Sequence, residues 1–89
     1  MNKTVLLILI DKRKDAAVNV QKILTEWGCL IKTRLGIHDG VLNDCSNSGL
    51  IILELVGDTK KQQEMARKLE LLKGVKTNMV TLSLDEDHK

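Results

Sequence analysis

Between Gly49 and Gly57 the chain reads Leu50-Ile51-Ile52-Leu53-Glu54-Leu55-Val56, six aliphatic residues in seven positions. A short apolar run closed by turn residues predicts a strand buried on both faces. Such a strand belongs in the interior of a sheet rather than at its edge. Only Thr4–Ile10 is comparable, with no polar residue between Val5 and Ile10. The chain has 89 residues, which predicts one domain spanning 1–89. A chain of that size buries about 60–70% of its unfolded surface. Trp27 is the sole aromatic residue, so aliphatic side chains have to form the core.

The segments around these two strands change period. From Arg13 to Trp27 the apolar residues Ala16, Ala17, Val20, Ile23, Leu24 and Trp27 fall on one helical stripe. Asp11 is the expected N-cap of this helix and Gly28 its left-handed C′ residue. Leu30–His38 alternates, with Lys32 and Arg34 between Ile31, Thr33, Leu35 and Ile37, as suits an edge strand. Gly36 marks a bulge or a close backbone approach in it. Residues 39–48 form a long polar loop. Thr59-Lys60-Lys61-Gln62 reads as a capping box opening a second helix that runs to about Lys73, with Met65, Ala66, Leu69 and Leu72 buried. Gly74 ends that helix, Val75–Leu84 is a last strand, and residues 85–89 form an acidic tail.

The resulting order, βαββαβ, predicts an α+β ferredoxin-like sandwich with an antiparallel sheet ordered 4-1-3-2. Right-handed crossovers are expected to set the first and third strands side by side in the centre, parallel to each other. Both helices then cover one sheet face. On the other face Leu50, Ile52 and Val56 join the aliphatic side chains of the first strand. An apolar patch of that size calls for a cover, and a second copy of the chain is the expected one, giving a homo-dimer or tetramer. Leu50, Ile52, Glu54, Val56 and Arg34 are the predicted interface residues, with Glu54 at the rim or paired with a cation such as Arg34.

Several function classes are excluded or narrowed by residue type. A net charge of +2 does not make a nucleic-acid surface. Stacking of RNA on the sheet would need aromatics that the strands lack. No run approaches a membrane span, and Val5–Ile10 is shorter than a signal core, so the sequence predicts a cytoplasmic protein without a leader. In that compartment Cys29 and Cys45 are expected as free thiols, Cys29 packing as a small hydrophobe. His38, Asp39, Asp44 and Cys45 are metal-ligand types gathered at the long loop, but without the spacing of a closed site; His38 and Cys45 are the candidate pair for nickel, zinc or iron. A nucleophilic Cys45 with His38 as base lacks an orienting third group. Lys12, Arg13 and Lys14 crowd the start of the first helix, where an anion would meet both cations and free N–H groups; without a ligand this is a solvated turn. Lys12, Arg13, Gly36 and His38 are accordingly the candidate ligand-binding residues, with no cofactor identified. An alternative to a regulatory role is therefore a metal- or anion-binding homo-oligomer using the 38–48 loop or the 11–15 turn.

Lys32-Thr33-Arg34-Leu35-Gly36, the run from Gly49 to Asp58, and Leu72-Lys73-Gly74-Val75-Lys76 resemble the small ACT-like proteins described as iron-only hydrogenase system regulators. The resemblance covers nearly the whole chain and rests on strand patterns with glycines. It implies the same βαββαβ order, a packing like that of the nickel-responsive regulator's ligand-binding domain, and a non-enzymatic intracellular sensor that works as dimers or tetramers. The turn Asp11-Lys12-Arg13-Lys14-Asp15 lacks the glycine usual in amino-acid-binding ACT domains, which argues against an amino-acid effector. No segment remains for a DNA-reading element, so control of transcription would pass through a protein partner.

Overall fold

A computed structural model describes residues 1–11, 15–38 and 48–85. Its elements are β1 (Asn2–Asp11), α1 (Ala16–Glu26), a 3-10 turn (Gly28–Leu30), β2 (Ile31–His38), β3 (Ser48–Leu55), α2 (Thr59–Glu70) and β4 (Val75–Ser83). They form a ferredoxin-like α+β fold with the sheet order β2-β3-β1-β4, the predicted order read from the other edge.

The predicted parallel pairing of β1 and β3 is wrong: Leu6 pairs with Leu53 and Ile8 with Ile51 in an antiparallel ladder. The reason is topological. The crossover through α1 makes β2 parallel to β1, and β3 then runs back antiparallel to β2. β3 therefore opposes β1, and every neighbouring pair in the sheet is antiparallel.

Period-2 alternation decides which residues make the core. Leu6, Ile8 and Ile10 of β1 and Ile51, Leu53 and Leu55 of β3 are buried together with Ala16, Val20 and Leu24 of α1 and Met65 and Leu69 of α2. Each of the Leu, Ile, Val and Met side chains among them contributes about 1.5–3 kcal/mol on leaving water. The stripe read for α1 holds except at Ala17, which is exposed. Leu50 and Ile52 on the opposite face of β3 are only half-buried, so within one chain this strand is covered on one side alone.

Helix ends depart from the sequence reading where a neighbouring residue competes. Asp11 is the last residue of β1, its N–H donating to Gly74 O at 2.7 Å, and Asp15 occupies the N-cap of α1 without a side-chain cap bond. Gly28 is not left-handed; the chain leaves α1 through the 3-10 turn instead. At α2 the cap is Asp58, whose carboxylate accepts from the Lys60 N–H at 2.9 Å, and Thr59 is already helical. Gln62 does reach back, but its amide donates to Gly57 O at 3.3 Å. Gly57 has φ +91°, and an added Cβ would lie 3.0 Å from Leu30 Cδ2, so this turn requires glycine. α2 stops at Glu70, short of Lys73, and Gly74 (φ 77°) turns the chain into β4.

Two other expectations are corrected. The register irregularity of β2 falls between Ile31 and Thr33, at Lys32, while Gly36 pairs regularly with Ile51 and has open space around it. Cys29 is exposed on the 3-10 turn rather than packed, because that turn buries Leu30 instead. Trp27, at the C-cap of α1, is half-buried against the core. Its emission is expected to lie to the blue of free indole and to move red in denaturant; native emission like that of free indole would contradict this packing.

Candidate functional site

Cross-strand partners in a ladder point to the same face, so the registers lay out the sheet surface that α1 and α2 leave uncovered. One row runs Leu35, Ile52, Leu7, Asn78 and the next Thr33, Glu54, Val5, Val80. Leu50, Leu9 and Lys76 lie to one side of these, and Lys3 and Leu82 to the other. Leu9 (49%), Leu35 (52%) and Leu82 (66%) are substantially exposed, with Val5, Leu7, Leu50 and Ile52 half-buried between them. The result is a nearly continuous aliphatic surface across four strands.

Glu54 is a charged residue set into the middle of it. Lys3 Nζ lies 3.2 Å from Glu54 Oε2, and the Thr33 hydroxyl donates to Oε1 at 3.4 Å. The hydrogen bond from Lys3, its positive charge and that of Lys32 hold the Glu54 carboxyl below the ordinary glutamate range, against the opposing effect of desolvation. Arg34, the cation expected beside Glu54, is paired with Leu53 and so lies on the helix-side face. Lys3 was missed because it precedes the apolar run, although it shares the parity of Val5 and Leu7.

A lowered carboxyl pKa means that folding favours the ionised form. The stability it contributes is present above the unfolded glutamate pKa and is lost as pH falls through the depressed folded value. Glu70, held low by the Thr77 N–H and hydroxyl, acts in the same direction. Urea midpoints are thus expected to fall on acidification through the glutamate range, and less steeply in Glu54→Gln; an identical slope in that variant would contradict the assigned ion pair.

A second feature is an open cleft of about 560 Å³ where β1 ends and β4 begins, lined by Leu9, Ile10, Asp11, Ser48, Gly74, Val75 and Lys76. Lys12 and Arg13, which were expected to bind an anion, lie outside the described residues, as does Cys45. His38 ends β2, and Gly36 precedes it by two positions on the same edge strand. Val56, placed with the interface residues, follows β3 and is exposed, its N–H donating to Leu30 O at 2.7 Å. Among the described residues no three His, Cys, Asp or Glu side chains gather as a metal site, and no helix is long and apolar enough to cross a membrane.

This architecture recurs in solved structures. An uncharacterized protein, TM1266, from Thermotoga maritima superposes with a TM-score of 0.78 at 24% identity, over 93% of this chain and 100% of that one. The chain has an ACT-like, ferredoxin-like fold. A formyltetrahydrofolate deformylase from Pseudomonas putida aligns with a TM-score of 0.56 at 17% identity, over 88% of this chain and 28% of that one. No protein-family model matches the chain, and no curated protein matches it by sequence. At these identities the likeness speaks for the fold and leaves the role of the uncovered sheet face to be argued from its own chemistry.

Proposed function

We propose that the chain is a non-enzymatic regulatory module that works as a homo-oligomer joined through the uncovered sheet face. The observation that carries this reading is the aliphatic surface around Leu7, Leu9, Leu35, Leu50 and Ile52. Contiguous apolar patches of several hundred Å² on a small protein mark interaction surfaces. The Lys3–Glu54 pair suits such a surface, since a charge entering an interface with its partner avoids the cost of an isolated buried ion. The regulated process in this reading is the iron-only hydrogenase system, on the resemblance of the strand segments.

A thermal-shift panel of nickel, zinc, iron(II), inorganic phosphate and free amino acids tests the sensor role. An effector at a hundred times its Kd adds about 2.7 kcal/mol, a rise of roughly 10–20 °C for a domain of this size. Catalytic turnover of any of these compounds would overturn the non-enzymatic reading. Hydrogenase activity unchanged by deletion of the gene would remove the link to that system.

The cleft at the end of β1 favours a second reading, a small charged ligand held near Lys76 and Asp11. Calorimetric titration of phosphate and of glycine into wild type and Lys76→Ala addresses it. Equal heats for the two proteins would defeat it.

A further inference from the structure

Gln62 is a buried residue that the core does not explain. It lies on the stripe of α2 that carries Met65 and Leu69, and it is buried with them at 5% exposure. Among the described residues it is the one buried polar side chain. Burying an amide costs free energy unless its polar ends are hydrogen-bonded, and here only one end is. Nε2 donates to Gly57 O at 3.3 Å. A carbonyl oxygen only accepts, so this bond fixes which end of the amide is which. Oε1 has no partner among the described residues, yet no fully buried side-chain oxygen there is left unpaired. Oε1 therefore reaches open space, and Gln62 lines a cleft of about 370 Å³.

This cleft lies at the start of β1, the opposite end from the cleft beside Lys76. Thr4 pairs with Leu55 of β3 and Thr81 of β4, so these three share the helix-side face. Together with Thr59 and Gln62 of α2 they form its walls. The Thr4 and Thr81 hydroxyls lie 3.0 Å apart; whichever donates, the other keeps a hydrogen to offer. Thr59 is one turn before Gln62, and a helical side chain leans over the turn that precedes it. Oε1 is thus set beside the first turn of α2. There the Asp58 carboxylate takes the Lys60 N–H and Asp58 O takes the Gln62 N–H. The Thr59 N–H has no partner among the described residues. An unfilled acceptor and an unfilled donor share this turn, with Leu55 and Val56 as an apolar wall.

We propose that this cleft binds a small uncharged ligand through a lactam edge, an N–H beside a C=O, as uracil and hypoxanthine carry. The ligand N–H donates to Gln62 Oε1, and the Thr59 N–H donates to the ligand C=O. The absence of charge follows from the lining, which holds no ionisable side chain. An anion would in addition face the Asp58 carboxylate already at the helix terminus. The volume is at the small end for ligand pockets, which suits a base or a nucleoside. As an effector class the proposal rests on the regulatory reading above. Binding itself does not need the uncovered face, because the cleft opens on the helix side.

Titration of the isotope-labelled full chain with uracil and with hypoxanthine, followed by NMR, tests the site. The Gln62 side-chain amide and the Gly57 and Thr59 backbone amides are expected to shift together and saturate, with half-saturation at about 1 mM for ligands this small. Dimethyluracil, methylated on both ring nitrogens, keeps the ring and carbonyls but has no N–H, and should bind about tenfold more weakly or less. No saturable shift at those three groups with either base would overturn the proposal. Equal affinity for uracil and dimethyluracil, or for uracil and glucose, would overturn it as well. Gln62→Met keeps the side-chain length and places an apolar group on the same stripe. Its circular dichroism should match wild type while uracil affinity falls about tenfold; a folded Gln62→Met with unchanged affinity would refute the role given to Oε1. The comparison of probes on wild-type protein decides the matter whether or not that variant folds. Light scattering on the same samples reads the assembly separately, so failure of the cleft and failure of the homo-oligomer are told apart.

Discussion

Replacing Leu53 by Ala is expected to lower the unfolding free energy by about 3–5 kcal/mol, the upper part of the range for buried Leu→Ala changes. Leu53 is wholly inaccessible to solvent, sits on a central strand, and pairs with the equally buried Leu6. Removing its isobutyl group forfeits transfer energy and leaves a cavity between two strands and the helix layer that backbone movement cannot readily close. A domain of this size has a total stability of roughly 4–13 kcal/mol, so the variant should be marginal at room temperature. Leu71→Ala is the control, because Leu71 is 74% exposed just beyond α2. Urea unfolding of the two variants reads the difference. A loss below about 1 kcal/mol at Leu53, where surface changes ordinarily fall, would mean that the core is not centred where β1 and β3 cross under the helices.

The central strands were legible because burial leaves a local trace. Aliphatic runs between turn residues placed β1 and β3 in the middle of the sheet, and charged alternation put β2 at an edge. Features that depend on competition between adjacent residues were less legible. Asp58 and Thr59 are both good caps, and the stronger acceptor one position earlier takes the role, which moves the helix start by a residue. Gly28 looked like a left-handed stop, yet the chain there tightens into a 3-10 turn that buries Leu30. The direction of β3 against β1 was misjudged although topology alone decides it. Least legible were contacts set by register across long stretches of chain. Lys3 meets Glu54 across 51 residues, and nothing local to either names the other. Glu70 and Thr77 are seven residues apart, but the bond requires α2 to end beside the outer edge of β4. The uncovered face was readable as a pattern; its extent became visible only once two registers aligned Leu35, Ile52 and Leu7 in one row.

Replacing Ile52 by Lys is expected to dissolve the assembly while leaving the fold in place. Ile52 lies between Leu7 and Leu35 on the uncovered face, directed away from the helix layer. In a single chain it is only half-buried, so a lysine there can extend its ammonium group into water along an aliphatic stem. Circular dichroism and the Trp27 emission should therefore stay close to wild type. In a face-to-face pair the same ammonium would be desolvated among leucines, and Glu54, the nearest carboxylate on that face, is already held by Lys3 and Thr33. An unpaired charge in such a site costs several kcal/mol. At 1.4 kcal/mol for each factor of ten, the dissociation constant should weaken by about a hundredfold or more. Light scattering at tens of micromolar should give a dimer or tetramer for the wild type and a smaller species for Ile52→Lys. Leu71→Lys, changed on the helix side, should keep the wild-type mass. A monomeric wild type, or equal masses for wild type and Ile52→Lys, would show that the aliphatic face does not join copies of the chain. Any residual dimer in Ile52→Lys would then have to come from another surface.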